Sequence, residues 1–542
     1  MVVINTVKRV DEYGHKIAND LPVSINVPNI SSIRNLNASD LNDSQENFKG
    51  NDNNYWTLYS LAKDTGTIYT ATYQQLSDFS YSKNDDGTYT VTGYTGALQR
   101  YLNGGSAPQG GYSTAITIPD TYNNMPIVSV ADNAFDGCSS ITRLTSITMG
   151  KNIKRIGKNA FANNNITGTL YIPSNVITID NSAFTNNGIN AVTLNKTLIS
   201  IGVSAFSNNQ INTSVIVPDN VTTIGNEAFC HNLIPNVSLD DNLETIGTSA
   251  FSNNQISTKI NIPKNVTNIG DKAFYHNLIP SISLNNKLQT IGTSAFQNNQ
   301  ISGNVSIPNS VSFIGNAALA NNKINFVNIG NHVNTIGNGA FKQNQINNVD
   351  LGTGVVQIGS DAFSGNLITS LIVPDSVELI GDRAFILNQL SSLTLGNHVQ
   401  GIGTSAFENG NLHTLIIPDS TVNIGDSAFA NNNIKQLTWG KSVKTIGSSA
   451  FINNALTNNL TLPNSVVSIG TSAFENNDIG GLNLGASILN ISDNAFKSNN
   501  LTLPNSVVSI GTSAFENNDI GGLNLGASIL NISDNAFKSN NL

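Results

Sequence analysis

Six histidines and two cysteines are the side chains of this chain best suited to hold a metal or carry a nucleophile. His231 and His276 occupy matching places in two similar phrases, FCHNLI and FYHNLI. Zinc takes its ligands at about 2 Å, so two such histidines would have to converge on one point, ideally beside a carboxylate cluster. No such cluster accompanies them. His332 and His398 recur in GNHV phrases and read as solvated turn residues. Asp40, Asn42, Asp43 and Glu46 form an acidic group beside GNDNN, with the oxygen donors calcium favours. The group lacks the glycine and the spacing of an EF-hand, and a solvated loop is the simpler reading. No GxSxG setting, phosphate loop or dinucleotide fingerprint occurs. The sequence therefore assigns no catalytic, cofactor or metal residue, and the chain is not expected to be an enzyme.

What positions these residues is a repeat. The phrase IGxxAFxxN recurs from about residue 130 onward, with its aromatic anchor at Phe135, Phe161, Phe184, Phe206, Phe229, Phe251, Phe274 and Phe296. Leu319 takes the next turn, and the series resumes at Phe341, Phe363, Phe385, Phe407, Phe429, Phe451, Phe474, Phe496, Phe515 and Phe537, 19 anchors in all. After a first interval of 26 the spacing is 22 or 23, with one interval of 19. A fixed period in this range is the mark of a solenoid. In the unit at 393–412, Leu393 and Leu395 alternate with Thr394, a strand with one buried face. Val399 and Ile402 form a second apolar pair, Gly403 permits a tight turn, and Thr404 is placed to cap a helical or 3-10 turn that carries Ala406 and Phe407 inward. Such a unit cannot bury enough apolar surface to fold alone, so the coils must stack. Stacking puts His231 and His276 two coils apart, about 10 Å, and Cys138 and Cys230 four coils apart, roughly 20 Å. Shared metal ligation and a disulfide, which needs Cα atoms within about 7 Å, are both excluded. Cys230 is expected to be partly exposed, with nothing nearby to activate it.

Two further patterns overlie the anchors. Asparagine stands three residues after the anchor in every unit except those with Cys138 and Gly410. A buried amide there can satisfy backbone groups of its own coil and the next, so the column reads as an asparagine ladder. Units with Pro173, Pro218, Pro263 and Pro308 alternate with units having Asn, Asp or Gly there, so the true period is near 45; the alternation lapses around 327–355. Residues 460–500 recur unchanged as 501–541, which shortens the step from Phe496 to Phe515 to 19. A pinched or disordered coil is expected at about 497–504.

Units such as LIVPDSVELIGDRAF (371–385) and LTLPNSVVSIGTSAF (460–474) closely resemble the BspA-like leucine-rich repeats of bacterial surface proteins, and VADNAFDGCSSIT keeps the cysteine common at that family's ladder position. The resemblance covers roughly 113–542. It implies an α/β repeat solenoid: a right-handed leucine-rich repeat superhelix with a parallel β-sheet and short helical or 3-10 turns. It also implies an extracellular or cell-surface site and adhesion to host glycoproteins, matrix proteins or other cells. No catalytic residue is carried over.

Residues 1–112 do not repeat. Residues 21–33 read as two proline-punctuated extended pieces, 37–54 as a polar linker, and FSYSKNDDGTYTVTGY (79–94) as a hairpin. With a strand near Ile116 and Ile118 this hairpin is expected to form a β-rich cap on the first coil of the array. Charged residues make up only 11% of the chain and the net charge is −9, which argues against nucleic-acid binding. No run of about 20 apolar residues is present, so no membrane insertion is expected. The first 16 residues lack a signal-peptide core and no sorting motif ends the chain, so a secreted protein would here be a mature fragment.

The outward residues of the repeated strands follow from alternation. They include Thr148, Tyr171, Thr193, Ile216, Ser238, Asn261, Asn328, Asp350, Ile372, Thr394, Ile416 and Thr438. This neutral column, rich in hydroxyls and amides, can hydrogen-bond a protein or glycan, although Thr and Ile also favour strands without any ligand. The leading reading is adhesion through this face to a host or microbial surface protein or glycan. The alternative is a structural spacer that presents another module away from the cell wall. An exposed last strand edge leaves end-to-end contact open at the C-terminus.

Overall fold

The computed structural model describes residues 77–542 apart from 105, 107–108, 110, 139–142, 458, 486, 498–506, 519, 521–527 and 542; within 6–75 it describes the backbone of five strands. The acidic group at 40–46 and the proline-punctuated pieces beyond residue 21 lie outside the described residues. The chain forms two compact units, 1–213 and 214–542.

The first unit opens with strands Thr6–Asp11, Lys16–Leu21, Asn47–Lys49, Tyr55–Thr65 and Ile68–Gln75, joined in one sheet. Thr6–Asp11 runs parallel to Ile68–Gln75, and the other pairings are antiparallel. Asn47–Lys49 falls inside the stretch read as a linker; polarity hid a strand whose pairing with Tyr55–Thr65 satisfies its backbone. The expected hairpin is present as Phe79–Lys83 and Tyr89–Tyr94. Its turn closes with Gly87 N–H donating to Asn84 O at 2.9 Å, and Gly87 takes a φ of 84° that glycine adopts without cost. Val91 of the hairpin lies beside Val130 of Met125–Val130 in parallel pairing. The Tyr81 ring stacks on Tyr122 at 4.0 Å, and Phe79 meets Phe135 edge-on at 6.1 Å. Aromatic area and strand pairing together cover the first coil, as a solenoid cap must.

From there each unit is built of the same coil. Its continuous element is the two-residue strand ending in the isoleucine before the repeated glycine. In the first unit Val130, Ile156, Ile179 and Ile201 succeed one another in parallel register. In the second the same ladder runs from Ile224 through Ile402 to Ile532. These isoleucines are buried, apart from the half-exposed Ile532. The following glycine is a packing requirement: a Cβ at Gly403 would lie 2.5 Å from Asp382 N.

Beneath this ladder the anchors stack face to face. Phe135 and Phe161 have centroids 5.0 Å apart, and Phe385 and Phe407 5.4 Å apart. Leu319 is equally buried in the one coil without an aromatic anchor. The anchor is held by a turn that is not the expected helical or 3-10 turn; among the described residues of the array only Asp136–Cys138, in the first coil, is 3-10. In the Phe407 coil, Ser405 and Asn409 take φ values of 55° and 61°, on either side of the anchor. The N–H groups of Ser405, Phe407 and Asn409 donate to Asp426, Ala428 and Ala430 of the next coil at 2.8–3.0 Å, whereas those of Ala406 and Glu408 turn back within their own coil. A helix would spend every N–H internally. Here every second one is spent on the neighbour, which offsets the roughly 1–2 kcal/mol that a left-handed L-residue costs. Thr404 does not cap this turn: its N–H donates to Asp382 Oδ1 of the preceding coil at 2.8 Å.

The asparagine ladder is present as expected. Asn432 Nδ2 donates to Phe407 O at 2.9 Å and to its own Phe429 O at 3.1 Å, while Oδ1 accepts from Leu412 N at 3.2 Å. Each such amide ties two coils together at a buried point where water cannot substitute.

Candidate binding face

On the opposite side of the coil the strands carrying the outward residues behave differently. They pair in doublets: Val215–Ile216 with Val237–Ser238, Ser370–Ile372 with Ser392–Thr394, Thr414–Ile416 with Gln436–Thr438. Each doublet joins a proline coil to the coil that follows it. The residue before the proline donates to the next strand, as Ile417 N does to Thr438 O at 2.9 Å. The next coil then passes so close to the proline carbonyl that a Cβ at Gly330 would lie 2.5 Å from Pro308 O. Where asparagine stands in place of that glycine, Asn285 Nδ2 donates to Pro263 O at 2.6 Å. This is the physical content of the 45-residue period. Where the proline alternation lapses, the doublet becomes a triplet, Ser302–Ser306, Lys323–Asn328 and Asn348–Asp350.

In the first unit Thr148, Tyr171 and Thr193 are exposed. In the second, Ile216, Ser238, Asn261, Asp350, Ile372, Thr394, Ile416 and Thr438 are exposed; Asn328 alone is half-buried, inside the triplet. Ile216, Ile372 and Ile416 show 67–69% of their surface to water. Single exposed apolar residues are ordinary. Here Ile372 lies beside Thr394 and Ile416 beside Thr438 in successive pairs, so apolar and hydroxyl-bearing side chains alternate on a backbone fixed by the ladders behind it.

A cleft of about 540 Å³ lies over the isoleucine ladder, lined by Gly403, Gly425, Gly447, Asp426 and their neighbours. Its glycine floor is a by-product of coil packing. A second cleft, of about 510 Å³, opens on the strand face where the triplet ends, between Asn347, Asn348, Asp350 and Gly352 on one coil and Thr369, Ser370, Ile372 and Pro374 on the next. Alternation picks out Asp350 and Ile372, and carried two residues back it also picks out Asn348 and Ser370, but not Thr369. The signal that marks this junction is the lapse in proline spacing.

The histidines find a structural use. The residue two after the anchor forms an outer, exposed amide ladder, as in Asn453 Nδ2 donating to Asn431 Oδ1 at 2.7 Å. His231 and His276 occupy rungs of it, and Asn253 between them bonds the first at Nε2 and the second at Nδ1, both at 3.2 Å. Among the described residues no group of three His, Cys, Asp or Glu could hold a metal. Cys138 and Cys230 are buried thiols outside any disulfide. The expectations for Cys230 need correcting: it is 5% exposed, and His231 Nδ1 lies 3.1 Å from its sulfur. Burial, with Glu227 adding to it, nevertheless pushes the thiol up to about 11, so it stays protonated at neutral pH and the pairing does not make a nucleophile.

The family described as "BspA type Leucine rich repeat region (6 copies)" matches residues 112–234, 222–347, 314–435 and 422–542. Among solved structures, a leucine-rich repeat protein from Bacteroides ovatus is 20% identical, over 80% of this chain and 94% of that one, with a TM-score of 0.47. The pneumococcal vaccine antigen PcpA is 17% identical, over 77% and 94%, at 0.38. A leucine-rich cell surface protein from Faecalibacterium prausnitzii is 17% identical, over 89% and 98%, at 0.28. No curated protein matches the sequence. Among the described residues no helix is long and apolar enough to cross a membrane.

Proposed function

Because the chain belongs to the family of BspA-type leucine-rich repeat proteins, we propose that it is a non-catalytic adhesion protein of the bacterial cell surface that engages a host or microbial surface protein through its strand face. The observation that carries this reading is the exposed pair Ile372 and Ile416, each beside a threonine on a nearly neutral surface, with Ile216 exposed beside Ser238 farther along the array. Isoleucine favours the strand even when exposed, but burying one against a partner stabilises by a further amount of roughly 1.5–3 kcal/mol. The even backbone geometry supplies preorganisation, which lowers the entropic cost of association. Leucine-rich repeat arrays generally serve as binding scaffolds, and no enzyme family is indicated.

The test is retention of the purified chain on immobilised matrix glycoproteins, mucin and bacterial surface extract. Binding to one of these, weakened at least tenfold by Ile372→Thr with Ile416→Thr while the unfolding midpoint holds, is the expected result. A wild-type chain that none of them retains would favour the spacer reading instead.

A further inference from the structure

We propose that the cleft at residues 347–374 is a subsite for a neutral saccharide. The inference rests on the reading of the strand face as a binding surface and adds the class of ligand one part of it takes.

Strand pairing stops beside the cleft, as it does after each doublet; what sets this junction apart is that it follows the triplet and the Gly352 turn. Val349 and Asp350 pair backward with Val327 and Asn328, and Ser370–Ile372 pairs forward with Ser392–Thr394; no pairing joins Asn348–Asp350 to Ser370–Ile372. After Asp350 the chain curls away through Gly352, at a φ of 63°, its N–H held by Asp350 Oδ1 at 3.0 Å. The space of about 510 Å³ falls within the roughly 300–1,000 Å³ typical of small-ligand sites.

Its lining selects a chemistry. Asn347 and Asn348 offer amides, Thr369 and Ser370 hydroxyls, and Asp350 a carboxylate whose second oxygen accepts no hydrogen bond. The side chains of Asn347, Asn348, Thr369 and Ser370 make no hydrogen bond to the protein. The ladder amides of the same two coils, Asn344 and Asn366, are fully engaged. A sugar's adjacent hydroxyls donate and accept at once, which matches a carboxylate beside amides and hydroxyls. Ile372, 69% exposed, supplies an apolar patch for the C–H face of a pyranose ring. No lysine or arginine lines the cleft, so an acidic sugar would meet only the like charge of Asp350. An added peptide strand has no place between the coils, whose anchors Phe341 and Phe363 are stacked at 5.2 Å.

The experiment is saturation-transfer difference NMR on the full chain with lactose, N-acetyllactosamine, mannotriose and sialyl-N-acetyllactosamine as probes. We expect transfer to at least one neutral probe, weaker transfer to the sialylated one, and a loss of at least fivefold in Asn348→Ala with Asp350→Ala. Because Asp350 also holds a turn, Thr369→Val with Ser370→Ala provides a second variant that leaves the turn intact and should lose signal similarly. Absence of transfer to every neutral probe, transfer undiminished in both variants, or a preference for a Ser/Thr-rich peptide over all the sugars overturns the proposal. Protein capture that needs Ile416 but survives when sugar transfer fails would sink the cleft alone; sugar transfer without any protein capture would sink only the wider reading of the face.

Discussion

Residues 460–500 and 501–541 are the same sequence twice, yet corresponding rungs in them are not equally satisfied. Asn477 donates to Phe451 O and Phe474 O, both at 3.0 Å, and its Oδ1 accepts from Leu456 N at 3.2 Å. Asn518, its copy, donates to Phe496 O at 3.0 Å and Glu516 O at 3.4 Å, but its buried Oδ1 has no partner among the described residues. The difference comes from the coil before each. The step from Phe451 to Phe474 is 23 residues, with Leu456 closing one coil and Leu460 opening the next; the step from Phe496 to Phe515 is 19, and Leu501 stands at both places. The aromatic spine nonetheless continues across the join, at 5.7 Å against 5.2 Å for Phe474 and Phe496, and Asn490–Ile491 still pairs with Ser509–Ile510. A rung is thus completed by its neighbour's length as well as by its own residues. The spine and the isoleucine ladder both span the shortened step. The coil expected to be pinched, at 497–504, lies almost wholly outside the described residues.

That comparison can be broken most forcefully at the spine. Phe407→Ala leaves a cavity among rings that are stacked on both sides, and should cost about 3–5 kcal/mol in chemical denaturation; a loss below about 1 kcal/mol would mean the rings are not the core. Next come the paired amides. Asn477→Ala strands the buried Leu456 N–H and removes a donor from Phe474 O and one of the two donors to Phe451 O, and should cost roughly 1–3 kcal/mol. Asn518→Ala removes an oxygen that has no partner among the described residues and should cost measurably less; equal losses would contradict the account of the join. The comparison is sharpened by inserting Ala-Leu-Thr-Asn after Asn499, which restores the 23-residue step. It should stabilise the second copy by about 1 kcal/mol and raise hydrogen-exchange protection around Phe515.

The smallest effect is expected at the exposed pair Asp419 and Lys441, whose charged atoms are 2.9 Å apart. The hydrogen bond from Lys441 holds the Asp419 carboxyl below the usual carboxylate range. A folded-state value below the unfolded one contributes stability above about pH 4 and loses it as pH falls through the folded value. The difference in unfolding midpoint between the wild type and Asp419→Asn should therefore be slight at pH 7, vanish near pH 2 and shrink in 1 M salt; a difference unchanged across that range would refute the pairing.

Much of this was legible before any coordinates. The anchor spacing identifies the coil, and the asparagine column identifies the ladder, because a buried amide at a fixed offset has few other uses. The 45-residue alternation of proline also carried real information, since proline coils and glycine or asparagine coils are complementary partners at one carbonyl. The turn around the anchor was not legible. Ser405 and Asn409 sit in left-handed conformations that no local propensity demands of serine, and only the next coil's carbonyls make the arrangement favourable. Cys230 was misjudged for the same reason: exposure belongs to the stack and cannot be read from one coil.

By itself the sequence determined the period, the inward residues, the ladder positions and the near-neutral surface, because these follow from local alternation repeated many times. Only the tertiary structure decided which strands pair on the exposed face, where that pairing stops to open a cleft, and which copy of an identical segment completes its hydrogen bonds. Those outcomes depend on the length and backbone of the neighbouring coil, and a residue's meaning in a stack is fixed by what lies above and below it.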